Sequence, residues 1–357
     1  MNRIDLSRFD SIPAYEPETR PFRLKLDANE SFVSPGPALR ARIAALAAEL
    51  PYNRYPDPYA EKLCAAFGRA YGVDPRCLTV GNGSDELISL VIGTLLTPGQ
   101  QAYVCDPDFS MYKFYAQRAG IRCAQYEKRD GVELAVDEAA RGALETGSSL
   151  VVFSNPCNPT GRGVPLADVE RLLTLLPGLA VVVDEAYMDF WDQSALPLVG
   201  KYENLIVLRT LSKALGMAAL RVGFAAAGAA VTAVLKKAKS PYNVTGLSQE
   251  IGTMMLEGGW RDACVAEILS ARDGLQARME ELAKQYPALL RARPSTTNFA
   301  VLESPRAKEI FLALKEKGVA IRFTEGLLRV TAGSPEENGA FAGELAAVLR
   351  TMEGEEA

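Results

Sequence analysis

Continuous apolar runs punctuate the first two thirds of the chain: "LTVG" at 78–81, "AYVC" at 102–105, "SLVVFS" at 149–154, "LAVVVDE" at 179–185, "NLIVLR" at 204–209 and "GFAAAG" at 223–228. Several of these are apolar at almost every position instead of alternating, as expected of strands covered on both faces. Between them, helical patterns occupy 84–96, 109–120 and 166–176. Strand and helix in this alternation predict a mostly parallel sheet flanked by helices. Past residue 245 the texture changes. A helical stretch runs from Leu247 toward Tyr286 with a break at "EGGW" (257–260), followed by strands at 297–303 and 327–332 and helices at 306–317 and 336–352. The expected fold class is therefore α/β: a large domain with a mostly parallel sheet, plus a smaller α+β domain.

The ends of the apolar runs carry the candidate chemistry. "TVGNGSDELISL" (79–90) is a strand, a glycine turn and a helix start, with Ser84 and Asp85 at the cap and first turn. Free N–H groups there, aided by the helix dipole, seat an anion; an ordinary capped β-turn-α connection reads the same way. "SNPCNPTGRG" (154–163) ends a buried strand in prolines that hold its asparagines rigidly at the sheet edge. Asp184 ends the apolar strand "VVVD", where a carboxylate is expensive unless it meets a cation. It either caps the next turn or serves as counter-ion to a protonated ring nitrogen, a metal being the weaker choice. Lys213 and Arg221, in "TLSKALGMAALRVGF" (210–224), follow a strand end and face the crevice where open α/β sheets bind ligands. The small apolar setting of Lys213 favours a lowered pKa and an amine nucleophile. Thr210, Ser212 and Arg221 complete the anion site begun at Ser84.

Composition narrows the choices. The chain has no histidine among its 357 residues, so Ser-His-Asp hydrolysis and histidine-ligated metals are excluded. Proton transfer falls to lysine, tyrosine, cysteine or a carboxylate. A net charge of −5 suggests neither nucleic acid nor an anionic membrane surface as partner. No apolar run approaches the ~20 residues needed to span a bilayer. The polar first twenty residues lack a signal-peptide core, and six scattered cysteines show no CxxC pairing. Reduced thiols and a cytoplasmic setting are expected, with no metal site.

"SNPCNPTG", "DEAY" and "TLSKALGMAALRVGF", in this order and spacing, resemble the fold-type I pyridoxal phosphate (PLP) aminotransferases over nearly the whole chain. The resemblance implies that Lys213 forms a Schiff base with the cofactor aldehyde and then carries protons, as a lysine acid/base must where histidine is missing. It implies that Asp184 pairs with the pyridinium nitrogen, that Asn158 and Tyr187 bond the ring hydroxyl, and that Tyr112 stacks on the ring. Ser84, Asp85, Thr210, Ser212 and Arg221 would seat the cofactor phosphate. It also implies an N-terminal arm at 1–20, a small domain of 21–47 with 248–357, and a large cofactor-binding domain at 48–247.

The segments "LDANES" (26–31), "RYPDPYAEKL" (54–63), "DPDFSMYKFYA" (106–116), "STTNFAVLE" (295–303) and "LLRVTAG" (327–333) are most similar to the histidinol-phosphate aminotransferase subfamily. That likeness implies a homodimer with shared sites, Tyr55 reaching the cofactor phosphate or substrate of the neighbouring subunit. Arg329, assisted by Arg322, would take the acidic end of the substrate, with Asn29, Asn158 and Tyr15 completing the pocket. The implied reaction is ping-pong transfer from histidinol phosphate to 2-oxoglutarate, giving imidazole acetol phosphate and glutamate in histidine biosynthesis. An aromatic amino acid aminotransferase, a threonine-phosphate decarboxylase and a non-catalytic ligand-binding relative are the alternatives. Retention of Lys213 with Asp184 argues against the last.

Overall fold

In the strands Leu150–Ser154, Ala180–Asp184, Leu205–Thr210 and Val222–Ala227 every residue but Ala180 is buried, so side chains must pack on both faces of one sheet. The computed structural model, which describes residues 21–324 and 326–356, builds that sheet from seven strands. The chain begins β1 (Leu24–Lys25), α1 (Pro37–Glu49), α2 (Glu61–Tyr71), β2 (Leu78–Asn82), α3 (Gly83–Leu95), β3 (Gln101–Asp106), α4 (Met111–Arg118) and β4 (Arg122–Glu127). It continues α5 (Val136–Glu145), β5 (Leu150–Ser154), α6 (Leu166–Leu175), β6 (Ala180–Asp184), β7 (Leu205–Thr210), β8 (Val222–Ala227), α7 (Ala229–Ala238), α8 (Gly246–Glu257) and α9 (Trp260–Gln285). It closes with β9 (Arg291–Arg293), β10 (Phe299–Glu303), α10 (Ala307–Glu316), β11 (Val319–Ala320), β12 (Arg322–Thr324), β13 (Leu327–Thr331) and α11 (Pro335–Glu356).

The large sheet runs β2-β8-β7-β6-β5-β3-β4. All pairs are parallel except the two made by β8, which is antiparallel to both β2 and β7. The two-residue period of a strand sorts the side chains cleanly. Val151, Phe153, Val181, Val183, Leu205 and Val207 face one core with α2, α5, α6 and α8. Leu150, Val152, Val182, Ile206 and Leu208 face the other, covered by α3, α4 and α7.

The second unit is a four-stranded antiparallel sheet, β12-β13-β10-β9, with β1 joined in parallel to β11 beside it. Its core gathers Leu24 and Leu26 with residues from 275 to 352. The predicted interruption of the long helix lies at Gly258 and Gly259, the latter at φ +68°, where α8 ends and α9 begins. α9 then spans both interiors: Cys264 and Ile268 pack in the large core, Leu275, Met279 and Leu282 in the small one. β10 starts two residues later than the apolar run suggests, because Ser295 and Thr297 fold their hydroxyls onto each other and onto nearby backbone. No helix among the described residues is long and apolar enough to cross a membrane, and all six cysteines are free.

Candidate active site

Register aligns the chemistry along one edge of the large sheet. Ser154 of β5 pairs with Asp184 of β6, Asp184 with Leu208 of β7, and Thr210 of β7 with Gly223 of β8. Parallel β5, β6 and β7 all end there, so their last residues and the turns that follow form the floor of a crevice.

Asp184 is 3% exposed, accepts from Tyr112 Oη at 2.9 Å and from the Ala186 N–H at 3.1 Å, and has no ion pair among the described residues. Burial pushes its pKa up to about 7, against the lowering effect of those two hydrogen bonds. The strand end is braced by the next residue: Glu185 is fully buried and meets Arg209 at 3.0 Å, and Arg209 also pairs with Asp189 and covers the Tyr71 ring.

Lys213 follows β7. Its Nζ donates to the Ala28 carbonyl at 2.9 Å and lies 6.0 Å from the Tyr187 ring centre. Burial lowers its pKa to about 8, with help from Arg329 and Arg221 and against Glu30 and Asp85.

The residues expected to seat an anion come from three elements. α3 begins at Gly83 with Asn82 as its N-cap, so Ser84 and Asp85 lie in the first turn and Ser84 is not the cap. The Thr210 and Ser212 hydroxyls are 2.9 Å apart, and Arg221 Nη1 donates to Ser212 Oγ at 3.3 Å while Nη2 approaches Asp85 at 3.4 Å. Gly223 makes the approach possible: a Cβ there would stand 2.6 Å from the Ser84 nitrogen.

The other wall comes from the small unit. Asn29 is 1% exposed, in left-handed backbone at φ +53°, and its Nδ2 donates to Tyr187 Oη at 2.8 Å. Its N–H reaches Thr331 Oγ1 at 2.9 Å, which ties segment 26–31 to β13. Arg329 of β13 donates to Asn158 Oδ1 and to the Asp27 carbonyl, while its Nε is buried without a partner. Arg322 is the cross-strand neighbour of Arg329 and is exposed. Tyr55 is 81% exposed and stacks on Tyr242 with ring centres 4.6 Å apart. Tyr15 lies outside the described residues.

Contacts thus link Lys213 to Tyr187, Tyr187 to Asn29, Arg329 to Asn158 and Tyr112 to Asp184, while Arg221 joins Ser212 and Asp85, and Ser212 joins Thr210. Reading the sequence missed the Asp27 and Ala28 carbonyls, because a backbone acceptor carries no residue-type signal. It also missed Asp108 and Ser154: Asp108 accepts from the Ser154 hydroxyl and N–H, and Ser154 Oγ accepts from the Asn158 N–H at 3.1 Å.

These groups fit a phosphorylated heteroaromatic ring. A buried carboxylate with no cation is relieved by a ring N–H⁺, a half-buried amine by an aldehyde, and a helix start with an arginine by a phosphate. The fit makes a prediction for the cofactor-free protein. Folding raises the Asp184 pKa from its ordinary 3.8 to about 7. The folded state therefore binds the extra proton, so this contribution to stability is complete below pH 3.8 and is lost as pH rises through about 7. Thermal melts of the cofactor-free wild type against Asp184→Asn across that window should diverge in the variant's favour as pH rises, by on the order of a few kcal/mol.

Residues 23–345 match the model of the aminotransferase class I and II family. The chain belongs to that family. It is 37% identical over 331 residues, 91% of this chain and 92% of the other, to the histidinol-phosphate aminotransferase of Thermoanaerobacter pseudethanolicus (strain ATCC 33223 / 39E). It is 35% identical over 330 residues, 91% of each chain, to that of Clostridium novyi (strain NT). In fold it is similar to the crystal structure of histidinol-phosphate aminotransferase from Sinorhizobium meliloti in complex with pyridoxal-5'-phosphate, with a TM-score of 0.88, 21% identity and 99% of both chains covered.

Proposed function

We propose that the chain is a PLP-dependent aminotransferase that converts histidinol phosphate and 2-oxoglutarate to imidazole acetol phosphate and glutamate. The observation that carries this reading is the pairing, across one crevice, of a lysine whose pKa falls to about 8 with a buried carboxylate that has no cation. When bound, PLP supplies an aldehyde for amines and a ring that withdraws electrons from the substrate carbon.

The chain supplies the rest. Asp184 holds the ring N–H, and Asn158 and Tyr187 hold the ring hydroxyl. The α3 start with Thr210, Ser212 and Arg221 holds the phosphate. Lys213 Nζ, deprotonated in useful amount near neutral pH, takes the proton from the substrate Cα and returns it. Arg329 binds the acidic end, Arg322 adding charge beside it, and the unpartnered Arg329 Nε is a buried donor that an anion satisfies. Asp27 Oδ1 and Asn298 Oδ1 are buried acceptors without partners on residues bonded into this wall. An imidazole offers N–H donors to them; a phenyl ring offers none.

Arg329→Lys keeps the charge but not the fork. The expected result is a KM for 2-oxoglutarate raised roughly 10- to 100-fold with a smaller change in kcat, measured by steady-state kinetics.

We read the chain as a cytoplasmic homodimer, supported by the free thiols and the exposed Tyr55–Tyr242 stack, which suits a partner's site better than its own. The division into an arm at 1–20, a small domain of 21–47 with 248–357 and a large domain at 48–247 belongs to the same reading, with α8 and the first turns of α9 packed against the large sheet. Turnover of histidinol phosphate against phenylalanine and threonine phosphate tests the substrate. The expected kcat/KM for histidinol phosphate is higher by about 100-fold. Preference for phenylalanine, or carbon dioxide released from threonine phosphate, overturns the assignment.

A further inference from the structure

Behind the asparagine–proline loop lies a buried pair that the reaction does not use. Lys128 Nζ stands 3.1 Å from Cys157 Sγ, 3.0 Å from Asp108 Oδ2 and 2.8 Å from the Pro107 carbonyl. Lys128 is 5% exposed and Cys157 3%. Yet both line a cavity of about 240 Å³, shared with Ser154, Glu133, Arg162 and Asp168. That is room for several water-sized molecules, so a small oxidant reaches a thiol that bulk reagents do not.

We propose that Lys128 and Cys157 are a modification site, at which a hydroperoxide joins Nζ to Sγ through a covalent N–S bond and reversibly lowers activity. Sγ reacts as the thiolate, the nucleophilic form of any cysteine, with the Lys128 ammonium 3.1 Å away. Sγ attacks one peroxide oxygen: an S–O bond forms, the O–O bond breaks, and sulfur gives up two electrons to the peroxide. The leaving hydroxide takes a proton from the Lys128 ammonium and departs as water, which leaves a free amine at bonding range. Nζ then attacks Sγ: the N–S bond forms, the S–O bond breaks, and the departing hydroxide takes one of the two amine protons as a second water, leaving a single N–H on the cross-link. Thiol, amine and one peroxide become the cross-link and two waters. Condensation of an oxidised cysteine with a nearby nitrogen is known chemistry.

The link reaches the crevice along hydrogen bonds. Asp108, stripped of its cation, remains buried; it holds Ser154, Ser154 holds the Asn158 N–H, and Asn158 Oδ1 accepts from Arg329. Closing 3.1 Å to a bond length also drags the loop that carries Asn158. Displacements of that scale cost roughly tenfold or more in rate.

The test treats purified PLP-loaded enzyme with stoichiometric hydrogen peroxide, maps its proteolytic peptides by mass spectrometry, and assays activity before and after a thiol reductant. The expected result is a joined pair of peptides bearing Lys128 and Cys157, two hydrogens lighter than their sum, with activity down about tenfold and restored by reduction. The same pair carrying one extra oxygen, from a second peroxide, supports the site equally. Cys157→Ser should retain activity through the treatment. Lys128→Arg should stop at a sulfenic acid captured by a carbon-acid probe. Cys157 accumulating as sulfenic acid in the wild type without the joined peptides, or inactivation unchanged in Cys157→Ser, overturns the proposal. Should either variant fail to fold, the wild-type peptide map decides alone.

Discussion

Lys213→Ala is expected to lower kcat by about 10⁴-fold or more and to remove the visible colour that the wild type takes up with PLP. No neighbouring group can replace the amine. The chain has no histidine. Tyr187 is adjacent, but burial raises its pKa above 10.0, so its phenolate is scarce at neutral pH. Glu30, which raises the Lys213 pKa, is an exposed carboxylate already paired with Lys25 at 2.9 Å. Loss of rate with retention of the folded state, followed by circular dichroism, is the decisive comparison. The same variant tests the shared site: mixed with Tyr55→Ala subunits, it should recover activity, because a hybrid dimer contains one intact set. Recovery absent from a verified hybrid would remove Tyr55 from the partner's crevice.

Asp184→Ala is expected to cost about 10²- to 10³-fold in kcat, the scale for removing a preorganised electrostatic partner. The carboxylate is held from both sides by Tyr112 and the Ala186 N–H, and β6 beneath it is braced through Glu185 and Arg209, so little reorganisation is needed when a cation arrives. Removing it leaves the Tyr112 hydroxyl buried without an acceptor, which adds a stability cost of about 1–3 kcal/mol. kcat measured at saturating PLP separates the lost chemistry from weaker cofactor binding. An unchanged kcat there would mean that Asp184 only caps its turn.

What could be read in advance depended on where the physics is local. The central strands announce themselves because burial on both faces leaves no polar position, and their last residues then mark the crevice. The edge strand β4, "RCAQYE", has only Tyr126 buried and shows no run at all. α1, with no buried residue, has no stripe to see. α5 does have one, Val136, Ala139, Ala140 and Ala143, which a search for long apolar runs passes over. "GFAAAG" is plainly a strand, but its antiparallel direction depends on how the chain returns past Lys213 to Arg221. Of the crevice, the residues on the large-sheet edge were legible from type and order. The contacts that join Asn29 to Tyr187 and Arg329 to Asp27 span 158 and 302 residues, and nothing in either segment encodes the meeting.

The long helix α9 has its first turns rooted in one interior and its last turns in the other. Domains usually part at a supple, polar linker; here one of the two crossings is a stiff rod. A protease would find no soft joint to nick there, and a truncation before or after the rod would strip a wall from one half. The two lobes stand or fall together, so moving one toward its neighbour means tilting a common girder instead of swinging a gate.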